Sequence, residues 1–133
     1  MKIIVPIYFL VIIVLGVSLF QEPGLEESME RGNEIYADFC VTCHLDTGEG
    51  VPYTFPPLAN SDYLANNREA SIHAVKFGLQ GEIEVNGITY NSAMSAMGLE
   101  DEEVADVMNY VMNSWGNTQN EMVTEAEVEA IKK

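Results

Sequence analysis

Three kinds of residue are scarce in this 133-residue chain, and each scarcity excludes something. There are six Lys and Arg residues against 21 Asp and Glu, a net charge of −15. Nucleic-acid binders carry clustered basic residues, so that class is excluded. There are two histidines and two cysteines. A structural zinc site needs four ligands, and three of these four residues fall within one short stretch, leaving only the distant His73. Two cysteines also cannot build the disulfide framework of a small secreted scaffold. Finally, Lys2 is the only charge before Glu22, and Ile3 through Phe20 is an uncharged, mostly apolar run.

Residues 1–20 are therefore a targeting segment, either a signal peptide or a membrane anchor. Eighteen residues as a helix span about 27 Å, close to the hydrocarbon thickness. Gly16-Val17-Ser18 is a poor cleavage site and there is no Ala-x-Ala, which favours the anchor. In both cases the chain leaves the cytoplasm. The expected place is the bacterial periplasm, at the inner membrane if the segment stays. Residues 21–27, with Pro23 and Gly24, read as a linker, and residues 28–133 as one small domain.

Both cysteines lie in Cys40-Val41-Thr42-Cys43-His44. C-x-x-C-H is the attachment signature of c-type haem. Two thiols at this spacing reach the two vinyl groups on one porphyrin edge. The following histidine then lies under the iron. A C-x-x-C disulfide is too tight to staple much. A thioredoxin-like pair expects a strand before the motif, and a helix is expected here.

That helix is Glu26–Phe39, with Ser28 as cap and Met29, Gly32, Tyr36 and Phe39 near one face. Gly32 suits close approach of another helix. Residues 46–61 carry Gly48, Gly50, Pro52, Pro56 and Pro57 and read as loop. A proline carbonyl there can accept the second ring N–H of His44. Phe55, Leu58 and Tyr63 need something flat to cover, a haem face or ordinary core. A second helix is expected over Asn67–Leu79, with Ile72, Val75 and Leu79 inward and His73 at its edge.

Glu82–Val85, Asn86-Gly87 and Ile88–Tyr90 read as a hairpin. Met94 and Met97 follow, and either thioether is a candidate sixth ligand or a core gap-filler. Val104, Val107, Met108, Val111 and Trp115 form a helical stripe over Glu100–Trp115, closed by Gly116-Asn117. Thr124–Glu127 reads as a capping box for a last helix ending at Ile131-Lys132-Lys133.

From about Leu25 to Ile131 the chain resembles a class I c-type cytochrome of the small bacterial monohaem kind. The resemblance is carried by Gly32 and Tyr36 before the C-x-x-C-H motif, Phe55-Pro56-Pro57-Leu58-Ala59, and Gly81-Glu82-Ile83 with Val85-Asn86-Gly87. It continues in Tyr90-Asn91 before Met94, Gly98-Leu99, Asp101-Glu102-Glu103, Tyr110-Val111 and Asn113–Asn117. It implies a mainly α, cytochrome c-like fold, with helices around one covalent haem, a small β-hairpin and the hydrophobic N-terminal helix. It implies thioether bonds at Cys40 and Cys43, His44 as proximal ligand, Met94 as distal ligand, and the Pro56-Pro57 pair as the source of the carbonyl on His44, with Leu58 beside it. Two departures stand out: Ser95 replaces the usual proline after the methionine, and Glu100 the usual Ser or Thr cap. The second predicts a frayed helix start.

The function implied is single-electron transfer between redox partners, without catalysis by the chain alone. The alternatives are a haem subunit of a larger periplasmic dehydrogenase, reductase or oxidase, and a haem-based ligand sensor. All 21 acidic residues follow residue 20, so a partner with a basic docking patch is expected.

Overall fold

The computed structural model describes residues 24–119 and 121–133. The expected targeting segment, residues 1–20, lies outside them. Six helices and one hairpin are described: α1 (Leu25–Phe39), α2 (Val41–His44), α3 (Asp62–Asn66), α4 (Arg68–Phe77), β1 (Ile83–Val85), β2 (Ile88–Tyr90), α5 (Asp101–Val111) and α6 (Glu125–Ala130). The architecture is mainly α with a small antiparallel hairpin, as expected.

The core forms where α1 and α5 cross. Gly32 makes the crossing possible: a Cβ there would stand 2.1 Å from the Asp106 carbonyl oxygen and 2.8 Å from Tyr110 Cβ. No real side chain fits that gap. Val104, Val107, Met108 and Met112 are fully buried on the α5 side, and Ile72 of α4 joins them.

A polar network ties the two helices beside the crossing. Ser28 is not a cap, because α1 begins at Leu25 with Gly24 as N-cap. Its hydroxyl is buried and donates to Asp106 Oδ1 at 2.6 Å. Arg31 meets the same carboxylate with two nitrogens, at 2.6 and 2.8 Å. Asn109 Nδ2 donates to Ser28 Oγ and to the Val123 carbonyl. The inward face of α1 is thus Ser28, Gly32 and Tyr36. Met29 is half-buried, and Phe39 is exposed to a cavity beside Cys40 and Cys43 rather than packed in the core.

Three further expectations are corrected. The start of α5 is not frayed: Glu103 Oε2 accepts from the Glu100 amide at 2.8 Å, closing a capping box. Glutamate serves here because its partner is the backbone three residues away. The helix stops at Val111, and Trp115 lies in the turn beyond at φ 51. From there its ring packs against Tyr36 and Tyr110, with centroids 5.0 and 5.3 Å away. The Asn67–Leu79 helix is shorter, ending at Phe77, and is preceded by α3, which no apolar periodicity announces. Ser61 caps α3, its hydroxyl accepting from the Leu64 amide.

The hairpin pairs Ile83 with Tyr90 and Val85 with Ile88. Asn86 and Gly87 both have positive φ, 52 and 76, as a type I′ turn requires. Asp62 and Asn86 bond reciprocally, each side chain accepting from the other's amide, and so pin the turn to α3.

The C-terminal segment closes the core with Val123, Val128 and Ile131. Thr124 caps α6, accepting from the Glu127 amide. The Glu127 carboxylate does not complete a capping box. Arg68 of α4 takes it with two nitrogens, at 2.6 and 2.8 Å. Lys76 of α4 donates to the Val128 carbonyl and pairs with Asp101, both at 2.8 Å.

Candidate cofactor site

Cys40 ends α1 and begins α2. Its amide still donates to the Tyr36 carbonyl, and its own carbonyl accepts from the Cys43 and His44 amides at 3.1 and 3.0 Å. Residues 40–44 are therefore one tight turn carrying two thiols and an imidazole. Both thiols are free and half-buried. Burial, with Cys43 beside it, pushes the Cys40 thiol up to about 11. The turn is braced on its far side, where Tyr36 Oη donates to the Leu45 carbonyl at 2.7 Å.

His44 is buried, and its Nδ1 lies 3.0 Å from the Pro56 carbonyl oxygen. A carbonyl only accepts, so Nδ1 carries the proton. Burial lowers the imidazole's pKa, against the opposing pull of that carbonyl. The ring is then neutral near pH 7, with the Nε2 lone pair free to bind a metal. Pro56 is held at this distance by its loop. Gly50 N donates to the His44 carbonyl, Leu58 N and Ala59 N to the Gly48 carbonyl, and Asn117 Nδ2 to the Leu58 carbonyl.

Met94 is fixed from the other direction. After the hairpin the chain returns to the segment that precedes it. Leu79 N donates to the Met94 carbonyl and Met94 N to the Leu79 carbonyl. Gly78 permits this approach: at φ 86, a Cβ on it would stand 2.8 Å from the Met94 carbonyl oxygen.

Two adjoining cavities open between these elements, about 650 and 850 Å³ with their mouths included. Both are bordered by Cys40, His44, Pro56, Leu79, Ile83 and Met94. The inner one adds Pro57, Leu58, Tyr63 and buried Val107 and Met108. The outer one adds Phe39, Cys43, Phe55, Tyr90 and Met97. The seven residues singled out in the sequence, Cys40, Cys43, His44, Pro56, Pro57, Leu58 and Met94, thus come together on one apolar cleft. Met97 reaches only the outer cavity. His73 borders neither and stacks on Phe77 at 5.0 Å.

These residues fit a haem. A large apolar plate needs a slot with few polar walls, two thiols at one edge and a neutral imidazole on one face. A thioether borders the same slot. Among the described residues no group of three or more His, Cys, Asp and Glu side chains converges as an alternative ion site.

Sequence reasoning missed Gly78, Leu79 and Ile83 as site residues. The signal for Gly78 was a glycine inside the expected Asn67–Leu79 helix, which stops at Phe77. The pairing of Leu79 with Met94 left no local trace, since fourteen residues, the hairpin among them, intervene.

A family model described as "Cytochrome c" matches residues 29–115. One cytochrome c-552 of Thermus thermophilus is 43% identical over 101 residues, 72% of this chain and 68% of that one. A second Thermus thermophilus cytochrome c-552 is 44% identical over 93 residues, 66% of this chain and 70% of that one. The cytochrome c subunit of the quinone alcohol dehydrogenase of Gluconobacter oxydans is 32% identical over 134 residues, 88% of this chain but only 26% of that one.

Proposed function

The chain belongs to the cytochrome c family, and from that premise we propose that Cys40 and Cys43 hold its haem, with His44 Nε2 and the Met94 sulfur as axial ligands. The protein is an electron carrier with one covalent haem c, and it makes and breaks no substrate bond. The bound haem supplies an iron that gains and loses one electron at a time.

The chain's own residues set the conditions for that exchange. The Pro56 carbonyl keeps the proton on His44 Nδ1, which orients the ring and makes Nε2 a better donor. The thioether of Met94 would favour the reduced iron and raise the potential. Val107, Met108 and Leu58 exclude water from the inner face. His44 and Met94 would hold the iron between them, and a stable thioether ligand would argue against a sensor. The observation that carries this reading is that Met94 and His44 border the same apolar cleft as the two thiols.

The cytochromes c-552 support a free-standing carrier better than a dehydrogenase subunit. A larger fraction of the aligned residues is identical, and the alignment covers about two thirds of their length against a quarter. Export to the periplasm and retention at the membrane by residues 1–20 complete the reading. Their support is the apolar run itself. Among the described residues no helix is long and apolar enough to cross a membrane.

The test is extraction of the denatured holoprotein with acidified organic solvent, followed by redox titration. The haem should stay with the polypeptide and titrate as one single-electron transition. Haem that leaves with the solvent, or a transition of more than one electron, would overturn the reading.

A further inference from the structure

The loop over the cofactor cleft presents one side chain that the fold does not use. Val51 N donates to the Phe55 carbonyl and Phe55 N to the Val51 carbonyl, both at 2.8 Å. These reciprocal bonds close a tight turn. Its base is tied to the haem-binding motif, because Gly50 N donates to the His44 carbonyl at 3.0 Å. At the tip, Tyr53 has φ 64. That left-handed conformation is costly for a bulky side chain and free for glycine. Burial does not offset the cost, since Tyr53 is 77% exposed. An aromatic held outward at local expense marks a contact surface.

We propose that Tyr53, with Val51 beside it, forms the docking patch for a redox protein whose own patch is apolar at its centre and basic around its rim. The proposal rests on the electron-carrier reading above, since the patch adjoins the outer mouth of the cleft. Phe39 lines that mouth with Cys43 and Thr54, the neighbour of Tyr53. Val51 is 38% exposed. The stretch of chain that carries the patch has charge of one sign. No Lys or Arg occurs between Arg31 and Arg68, while Glu34, Asp38, Asp46 and Glu49 are all exposed. A second copy of this chain would bring like charges together, and a neutral partner would leave them unmatched.

The experiment uses reduced holoprotein, wild type, Tyr53→Gly and Tyr53→Phe. Each is mixed with cell extract, membranes included, from a source strain lacking this chain, and reoxidation of the haem is followed. Hexaammineruthenium(III), a small cation that needs no apolar contact, serves as control oxidant. Tyr53→Gly should slow reoxidation by the extract about tenfold, the loss expected for one aromatic anchor, and leave the ruthenium rate unchanged. Its thermal midpoint should hold or rise, because the backbone strain is gone. Tyr53→Phe should keep the wild-type rate. Raised salt should slow the extract reaction for wild type. Equal extract rates for wild type and Tyr53→Gly would overturn the proposal. So would a dimer in sedimentation that Tyr53→Gly abolishes, since the occupant would then be a second copy. Wild type that ruthenium oxidises but extract does not would overturn it as well. Wild type that exchanges electrons with neither would count against the carrier reading instead.

Discussion

Leu79 and Met94 exchange both of their backbone hydrogen bonds, at 2.8 and 2.9 Å, across the base of the hairpin. The pairing fixes Met94 by its main chain, independently of any bond its sulfur makes. Met97, three residues on, has no such pairing and borders only the outer part of the cleft.

Met94→Ala should therefore abolish the weak long-wavelength charge-transfer absorption of thioether-ligated ferric haem, lower the potential and admit carbon monoxide to the reduced protein. Met97→Ala should keep the absorption. Met97 is only half-buried, so its loss should cost less than the about 2–5 kcal/mol of a fully buried methionine. Absorption spectra of the two variants check the assignment, and the reverse pattern would move the ligand to Met97.

Gly78→Ala tests the pairing itself. A methyl group there meets the Met94 carbonyl oxygen at 2.8 Å and the Ala96 nitrogen at 3.0 Å, in a backbone conformation that disfavours any Cβ. This glycine-only conformation, φ 86 with ψ 170, alone costs a side chain about 1–3 kcal/mol. Thermal unfolding should fall by at least that much, and the thioether absorption should weaken although no ligand has been changed. Unchanged absorption with lower stability would show that the pairing does not hold the sulfur in place.

Glu127→Gln tests the clamp between α6 and α4. The Arg68 guanidinium holds the Glu127 carboxyl below its usual range, and each side chain is about one-third exposed or less, 33% for Glu127 and 27% for Arg68. A depressed carboxylate stabilises the fold above its unfolded pKa and loses that contribution as pH falls through its folded one. At pH 7 the variant should be less stable by about 0.5–1 kcal/mol, discounted for solvent screening. The gap should close as pH drops below about 4.3, the ordinary glutamate value. Chemical denaturation at pH 7 and pH 3 compares the two.

Residues 1–20 should keep the protein at the membrane through washes with high salt and carbonate. Mass spectrometry of the washed fraction should find the chain starting at its first residue. Full release of a chain that begins near Leu19 would show a cleaved signal peptide.

The chemistry of the site was legible because it is written in consecutive residues. Cys40 to His44 is a single turn, and a thiol spacing is visible without any fold. The helix crossing was readable at Gly32 because a mid-helix glycine needs a reason. The hairpin was readable because Asn86-Gly87 allows few turns. What escaped depends on distant parts of the chain. Ser28 looks like a cap until Asp106 appears beside it, 78 residues later. Trp115 fits the α5 stripe by spacing, yet its place is decided by Tyr36 and Tyr110. Glu127 has the spacing of a capping box and is drawn away by Arg68, a stronger partner for a carboxylate than an amide. Tyr53 carries no sequence signal, because nothing local distinguishes an aromatic held outward from one held in.

The clamp on α4 has a mechanical consequence. Arg68 opens that helix and Lys76 closes it, and both grip the C-terminal segment. Two residues past Lys76 the backbone becomes Gly78, and the next residue is the one that pairs with Met94. The tail of the chain and the far side of the cleft are thus the two ends of one rigid lever, with α4 as its arm. Fraying at Val128 leaves Lys76 only its pair with Asp101, and so loosens the end of α4 that leads to Leu79. Amide exchange at Met94 should then follow the opening of the C-terminus rather than that of the hairpin between them.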